Sequence, residues 1–542
     1  MYFAEDSATH SFYYGDIEPY VGIGKILNET HPFIAVDVET ISLKERIAVG
    51  IGIALSPTCG FYFQLFPTMS TIVPWHLLKD PAITKIFHNS LFDLSALREY
   101  GIDNTNIMDT NIMSRLLCHP ASGLLDLSFI HKMEVHNMKD VLAEHKARTT
   151  LDLPPTITAM KCLQDCMATY KLFQELWEDS NHDYLATEMK VIPICIGMSN
   201  RGLMIDQTMR REVEDKLQAE ADFYLSICEE EGFNPGSNQQ VAYMLSKRGA
   251  YKVFHRLPFT DSKTNLSTNV KVLSQMDDVL APIVLKYREY TKLNSTYIKP
   301  WGHEDRATTR FHLDAITGRP SSTDRNMQNI PGKFRKDGSE YPCNCRGILL
   351  PDNGTWTDVD WEQGEPRVLA YLSGDREMQH IFSLPKYNHD GSRNEAADVH
   401  LQVAIFMDAP RRLGKLVNLA MTYGATDQTL MEHLGMNNIN RVRQLRAMWG
   451  RKFPQAMDWI DSRQEDAIRT GVARTVFGRN IRLPTQEEES IDGIRRKAID
   501  YPCQGSMAEI LIRGLIACKD LTLALQVHDE LLVDGYIPEH RF

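Results

Sequence analysis

The sequence has no apolar run approaching the roughly 18 residues that a membrane-spanning helix needs. It has no internal repeat and no low-complexity tract. Its first residues, MYFAEDSATHSFYYGD, are acidic, with neither a basic stretch nor an apolar core, so no secretory signal is expected. There is no excess of positive charge: the net charge is −12, which argues mildly against nucleic acid as a partner. The basic residues cluster, however, as PRRLGK (410–415) and GIRRK (493–497). The ten cysteines show no framework; Cys343 and Cys345 lie close together without the second pair a zinc site needs. Reduced thiols are expected. What is present is ample: 542 residues, 43% hydrophobic and 24% charged, enough for about three globular domains.

From Pro32 onward the pattern is β-rich. PFIAVDVETIS, RIAVGIGIALS and CGFYFQLFP predict three strands, and KIFHNS a fourth, followed by a helix over LFDLSALREYG. DTNIMSRLLC and KCLQDCMATYKLFQELWE have helical spacing. Strands followed by helices predict a mixed sheet with helices packed on it. Asp37 and Glu39 are two apart on the first strand and share a face. Asp93 stands one helical turn after Asn89, and Asp165 falls on a late helix. Taken singly, each of these acids reads as a surface residue. Converging, they would repel unless cations bound them, and a pair of divalent ions about 3.5–4 Å apart suits phosphodiester hydrolysis.

At these residues the chain resembles the DEDD 3′–5′ exonucleases attached to proofreading polymerases. The resemblance implies Asp37, Glu39, Asp93 and Asp165 as catalytic metal ligands. It departs at Lys161, where the family has a tyrosine four residues before the last aspartate; Tyr170 lies on the other side.

Residues 207–231 carry a long amphipathic pattern, as does VKVLSQMDDVLAPIVLKYREYTKLNSTYI, with a turn and helix over FNPGSNQQVAYMLSKRG between them. A structural linker and a lysine-bearing grip on a nucleic-acid backbone both fit. FHLDAITGRPSSTDRNMQNIP then reads as a polar loop whose Arg319, Asn326 and Gln328 suit phosphate, sugar or base-edge contacts.

WTDVDWEQGEPRVLAYLSGD (356–375) opens as a strand and turns helical near Glu365. Asp360 ends the strand, where a rigid backbone suits a metal ligand. Arg411, Lys415, Leu419 and Tyr423 recur every four residues, a stripe about 18 Å long. Cations at one end and apolar groups at the other suit a nucleoside triphosphate; on spacing alone, a basic end capping an ordinary core helix is the favoured reading. Near the end, LTLALQVHDELLVDGY predicts a hairpin tipped by His528, Asp529 and Glu530.

Together TGRPSSTDRNMQNIP, the motif from Trp356, PRRLGKLVNLAMTYGA and QVHDE resemble family A DNA polymerases. The resemblance implies Asp360 and Asp529 as metal ligands, with Glu530 beside them and His528 near the primer end. It makes Glu365 the side chain under the incoming sugar that excludes a 2′-hydroxyl. Arg411 and Lys415 bind the triphosphate, with Lys415 as general acid, while Leu419 contacts the sugar and Tyr423 stacks near the templating pair. Arg319, Asn326, Gln328, Arg367, Arg496 and Gln504 become DNA contacts. Trp361 replaces the usual tyrosine and Asp500 the usual asparagine.

The expected fold class is α/β plus α+β: a ribonuclease H-like exonuclease domain over 1–185, then a right-hand polymerase domain over 186–542. Within it the thumb is expected at about 207–298, the palm at about 299–372 and 501–542, and the fingers at about 373–500. The expected activity is template-directed DNA synthesis with 3′–5′ proofreading, using two Mg²⁺ per site, with Mn²⁺ able to substitute. Primer–template DNA and dNTPs are the expected partners, with replisome proteins such as a helicase and a single-strand binding protein. A cytoplasmic monomer, without membrane contact, is expected. Glu365-Pro366-Arg367 and Leu419 point to a bacteriophage replicase, and no 5′-nuclease domain is expected before Pro32. Rival expectations are a single-subunit RNA polymerase, an exonuclease whose second half only holds DNA, and a non-catalytic DNA-end binder.

Overall fold

The computed structural model describes residues 2–5, 11–14, 31–67, 73–102, 106–260, 264–335 and 338–538. The first part is a seven-stranded sheet built from β1 (Tyr2–Glu5), β2 (Ser11–Tyr14), β3 (Phe33–Thr40), β4 (Ala48–Ser56), β5 (Cys59–Gln64), β6 (Thr84–Phe87) and β7 (Ile107–Asp109). Their spatial order is β2-β1-β5-β4-β3-β6-β7. β3, β4 and β5 pair antiparallel, whereas β6 and β7 run parallel beside β3. The predicted mixed sheet is therefore present, with β1 and β2 added at one edge. Every residue of β4 except Ser56 is buried, so it reads as an apolar run rather than an alternation.

The helix Pro155–Trp177 lies across β3, β4 and β5. Gly52 on β4 makes that approach close: a Cβ there would lie 2.5 Å from Cys166 Sγ and 2.9 Å from Cys162 Sγ. Gly52 is also the register partner of Asp37. The missing side chain thus brings the helix carrying Lys161 and Asp165 down onto the strand carrying Asp37 and Glu39.

The other half is built around a three-stranded sheet. The strand Trp356–Asp360 pairs antiparallel with Glu530–Asp534, which pairs with Leu523–Val527. The helices Gly364–Ser373 and Ile491–Ala517 pack together beside it. Ile491–Ala517 runs through Pro502, whose ring removes one backbone donor, and Ser506 Oγ donates to the Pro502 carbonyl at 2.6 Å. One apolar core extends from the seven-stranded sheet through the helix Val191–Arg201 to the Leu523–Val527 strand. A second lies among the helices between Val368 and Met507, and a third joins residues from Cys228 to Val284.

The long pattern expected from Val270 is broken. It forms Val270–Leu273 and Leu280–Leu293, and between them Asp278 Oδ1 accepts from Leu280 N in a local turn. The expected domain boundary at 185–186 falls inside the helix His182–Met189, and that at 500–501 inside Ile491–Ala517. The stretch expected as a polar loop contains a short hairpin, Arg310–His312 paired with Ser321–Thr323. Among the described residues no helix is long and apolar enough to cross a membrane.

Candidate active sites

Two clusters of acids lie in the two halves. In the first, Glu39, Asp93 and Asp165 are buried, and Asp37 is half-buried. Val38 N donates to Asp93 Oδ1 at 3.1 Å, which holds Asp93 beside the strand of Asp37. Lys161 hydrogen-bonds Asp165 one turn along its helix, and its Nζ lies 3.8 Å from Glu39 Oε1. Burial, then the charges of Asp165 and Glu39, hold the Asp37 carboxyl well above the usual carboxylate range. Asp93 is raised in the same way, by burial and then by Asp37. Burial pushes Glu39 up to about 7 although Lys161 pulls it down. Four sequence-predicted acids therefore meet in one place, at the expense of mutual repulsion that a bound cation relieves.

Asp109 is a useful contrast. It is buried nearby, but its oxygens accept from Ser90 N, Ser90 Oγ, Asn89 N and Asn111 N. It is a satisfied structural acid. Asp165 Oδ1, by comparison, is buried without any hydrogen-bond partner among the described residues. Four carboxylates, one with an orphaned oxygen, fit a hard divalent cation. Cys162 was not predicted: one ligand atom each from Asp37, Glu39 and Cys162 lie within 4.8 Å of one another.

In the second cluster the register places Asp360 opposite Glu530. Asp529 is the next residue back, in the turn, and its carbonyl accepts from Trp361 N at 3.4 Å. Burial, and then the Asp529 charge, raise the Asp360 pKa. Asp358 shares the strand face of Asp360 and hydrogen-bonds Glu530, whose pKa is pushed up to about 7 by burial and then by Asp358. The alternation Asp358-Val359-Asp360 carried that signal in the sequence. Carboxylate oxygens from two strands again form a donor set suited to a hard cation. His528 stands exposed at the tip with a positive φ of 56°.

Beside this cluster Tyr423 donates its hydroxyl to Glu365. Glu365 is raised first by burial, against this hydrogen bond. The predicted stripe forms the helix Arg411–Thr422, with Tyr423 at its end. Arg411 Nε donates to Asp398 Oδ2 at 2.8 Å, while Lys415 is exposed and has no ion pair among the described residues. Leu419 is half-buried. Behind the helix Trp449 Nε1 donates to Asn418 Oδ1 at 2.9 Å, and Asn418 Nδ2 lies 3.3 Å from His400 Nδ1.

The expected DNA contacts divide. Arg319 NH2 lies 3.8 Å from Asp529 Oδ1. Asn326 and Arg496 are exposed. Gln504 hydrogen-bonds Asp500, whose pKa burial raises to about 6. Arg367 is exposed, donating to the carbonyls of Glu362 and Phe382. Gln328 departs from expectation: it is 7% exposed, and its amide donates to Pro320 O and to Gln526 Oε1 at 2.7 Å. Gln526 in turn donates to His528 O at 2.6 Å. Gln328 thus braces the turn from behind, since its amide has buried acceptors within reach. Trp361 finds its room over Gly514, where a Cβ would lie 2.6 Å from the indole.

A sequence profile described as DNA polymerase family A matches residues 205–539 of this chain. The chain belongs to DNA polymerase family A. A second profile, described as 3′-5′ exonuclease, matches residues 23–181. The chain is 28% identical to DNA polymerase I of Chloroflexus aurantiacus over 93% of its own length and 57% of that protein's. It is 26% identical to DNA polymerase I of Geobacillus stearothermophilus, over 92% of this chain and 59% of the relative. The chain thus spans less than two thirds of the length of these relatives. Its fold is also that of a solved structure, the POL domain of Pol1 from M. smegmatis in complex with DNA primer-template and dNTP. The TM-score is 0.72 at 20% identity, covering 97% of this chain and 93% of that one. The family A architecture here is an exonuclease domain of ribonuclease H-like form followed by the right-hand polymerase domain. The first acid cluster lies in the exonuclease match and the second in the polymerase match.

Proposed function

We propose that this chain is a template-directed DNA polymerase that extends a primer with dNTPs and carries a 3′–5′ exonuclease for proofreading. The observation that carries this reading is the meeting of Asp360 with Asp529 and Glu530 on paired strands, beside the Glu365–Tyr423 contact. The family membership and the family name of its relatives support it.

In the polymerase half, Asp360 and Asp529 would hold divalent ions, Mg²⁺ by the hardness of the oxygens, with Mn²⁺ able to substitute. Ions held there would lower the pKa of the primer hydroxyl and stabilise the departing oxygen. The protein's own groups do the rest. Arg411, held by Asp398, and the exposed Lys415 face the triphosphate, and Lys415 donates the proton that the pyrophosphate takes up. Glu365, fixed by Tyr423, fills the space a 2′-hydroxyl needs. Leu419 lies against the sugar. Arg319, Asn326, Arg367, Arg496 and Gln504 hold the DNA, and His528 stands at the primer end. Positioning and charge neutralisation account for the catalysis. In the other half Asp37, Glu39, Asp93 and Asp165 line the centre where divalent-ion chemistry would hydrolyse a mispaired 3′ end.

Glu365-Pro366-Arg367 and Leu419 support a bacteriophage-type replicase, working as a monomer alongside a helicase and a single-strand binding protein. Primer extension on a defined template, omitting each dNTP in turn, tests the function. Arrest at each template position that calls for the missing nucleotide is expected; template-independent addition, or none, would contradict it.

A further inference from the structure

Lys161 occupies an unusual place for a cation. It rises from the helix Pro155–Trp177 one turn before Asp165, hydrogen-bonds that carboxylate, and reaches to 3.8 Å from Glu39 on β3. All three residues are 8% exposed. One ammonium therefore bridges two buried carboxylates from two different elements. That is part of what a divalent ion does: it cancels repulsion between acids that the fold forces together. An ammonium differs in carrying one charge, in having no coordination sphere, and in being unable to ionise a water. Asp37 and Asp93 lie outside this bridge. Neither forms an ion pair with Lys161 among the described residues, and Asp93 is fixed beside Asp37 through Val38 N. Asp37 and Asp93 thus lie outside the salt bridges that Lys161 makes.

We propose that Lys161 is a tethered cation that takes the place of one divalent ion between Glu39 and Asp165, so that this centre binds a single divalent ion, with Asp37 among its ligands. This rests on the exonuclease reading of the cluster. The lysine neutralises charge without activating water, so hydrolysis here is slower than the same centre with two ions would give.

Mn²⁺ titration of the full chain, with free aqueous Mn²⁺ followed by electron paramagnetic resonance, tests this. The palm acids are first neutralised with Asp360→Asn and Asp529→Asn, so that the remaining tight sites belong to the first half. One ion per chain is expected. Adding Lys161→Met, or Lys161→Tyr as a second uncharged variant, raises the count to two, whereas Lys161→Arg leaves it at one. Asp37→Ala removes the bound ion in each background. Two ions with Lys161 in place overturn the proposal while leaving the exonuclease reading intact. So does a count that stays at one in both uncharged variants. No bound ion in any background overturns both.

Discussion

Tyr423 and Glu365 meet across the cleft: the phenol at the end of the Arg411–Thr422 helix donates to the carboxylate in the first turn of the Gly364–Ser373 helix. Two elements nearly sixty residues apart are thereby locked at the place where the sugar of an incoming nucleotide is proposed to lie. A hydrogen bond to a charged group contributes about 1.5–3 kcal/mol. Tyr423→Phe should therefore loosen Glu365 and lower the preference for dNTP over rNTP by about tenfold or more, at about 1.4 kcal/mol per tenfold. Glu365→Ala should lower it further. Single-nucleotide incorporation kinetics check this, and an unchanged ratio in Glu365→Ala would remove Glu365 from sugar selection.

Leu419 lies half-buried one helical turn from both Lys415 and Tyr423. By the resemblance, a tyrosine at this position favours chain-terminating dideoxynucleotides. Leu419→Tyr should raise the ddNTP:dNTP incorporation ratio about tenfold or more, about 1.4 kcal/mol of relative barrier. A ratio equal to or below the unmodified protein would contradict the placement of Leu419 at the sugar.

The acids leave a signature in stability. Glu39 and Glu530 are each pushed up to about 7, by burial and, for Glu530, next by Asp358. Their folded pKa values exceed those of the unfolded chain, about 4.3. The folded state therefore binds more protons between these limits, and the stabilisation present below about pH 4 is lost as pH rises through 7. For metal-free protein, the increment in melting temperature produced by Mg²⁺ should be larger at pH 8 than at pH 5.5. Differential scanning calorimetry measures it; an increment equal at both pH values would contradict the placing of these acids beside ion sites.

Arg479 is 4% exposed, and its NH1 lies 3.3 Å from Glu188 Oε1. Tyr184 bonds both Glu188 and Glu509, and Thr475 Oγ1 donates to Glu509 at 2.9 Å. This network ties the helix His182–Met189, between the two halves, to the polymerase half. Arg479→Met leaves the buried Glu188 without its cation partner, a loss of about 3–5 kcal/mol. Adding Glu188→Gln should recover part of it in urea unfolding, and strict additivity of the two losses would show that the pair does not interact.

Much of both sites was legible because the chemistry lies in residue identity. Asp37-x-Glu39, the stripe from Arg411 and the QVHDE turn carry their charge and spacing openly. What was hidden depends on partners distant in sequence. Gln328 reads as a DNA contact until Gln526 is seen to accept its amide. Gly52 reads as an ordinary strand residue, yet its missing side chain lets the Lys161 helix reach Asp37. Asp398, which caps the helix Val399–Phe406, also holds Arg411. The break before Leu280 falls at the turn where Asp278 Oδ1 accepts from Leu280 N, inside an otherwise continuous apolar period. Trp361, odd in sequence, is explained by Gly514.

The central claim is that Asp360 and Asp529 form one nucleotidyl-transfer centre, separate from the acids of the first half. Primer extension by Asp529→Asn, with four dNTPs and Mg²⁺, tests it most directly, with degradation of single-stranded DNA measured on the same preparation. Extension should fall by about a thousandfold or more, about 4 kcal/mol of lost transition-state stabilisation, while degradation persists. Undiminished extension by Asp529→Asn would contradict the account.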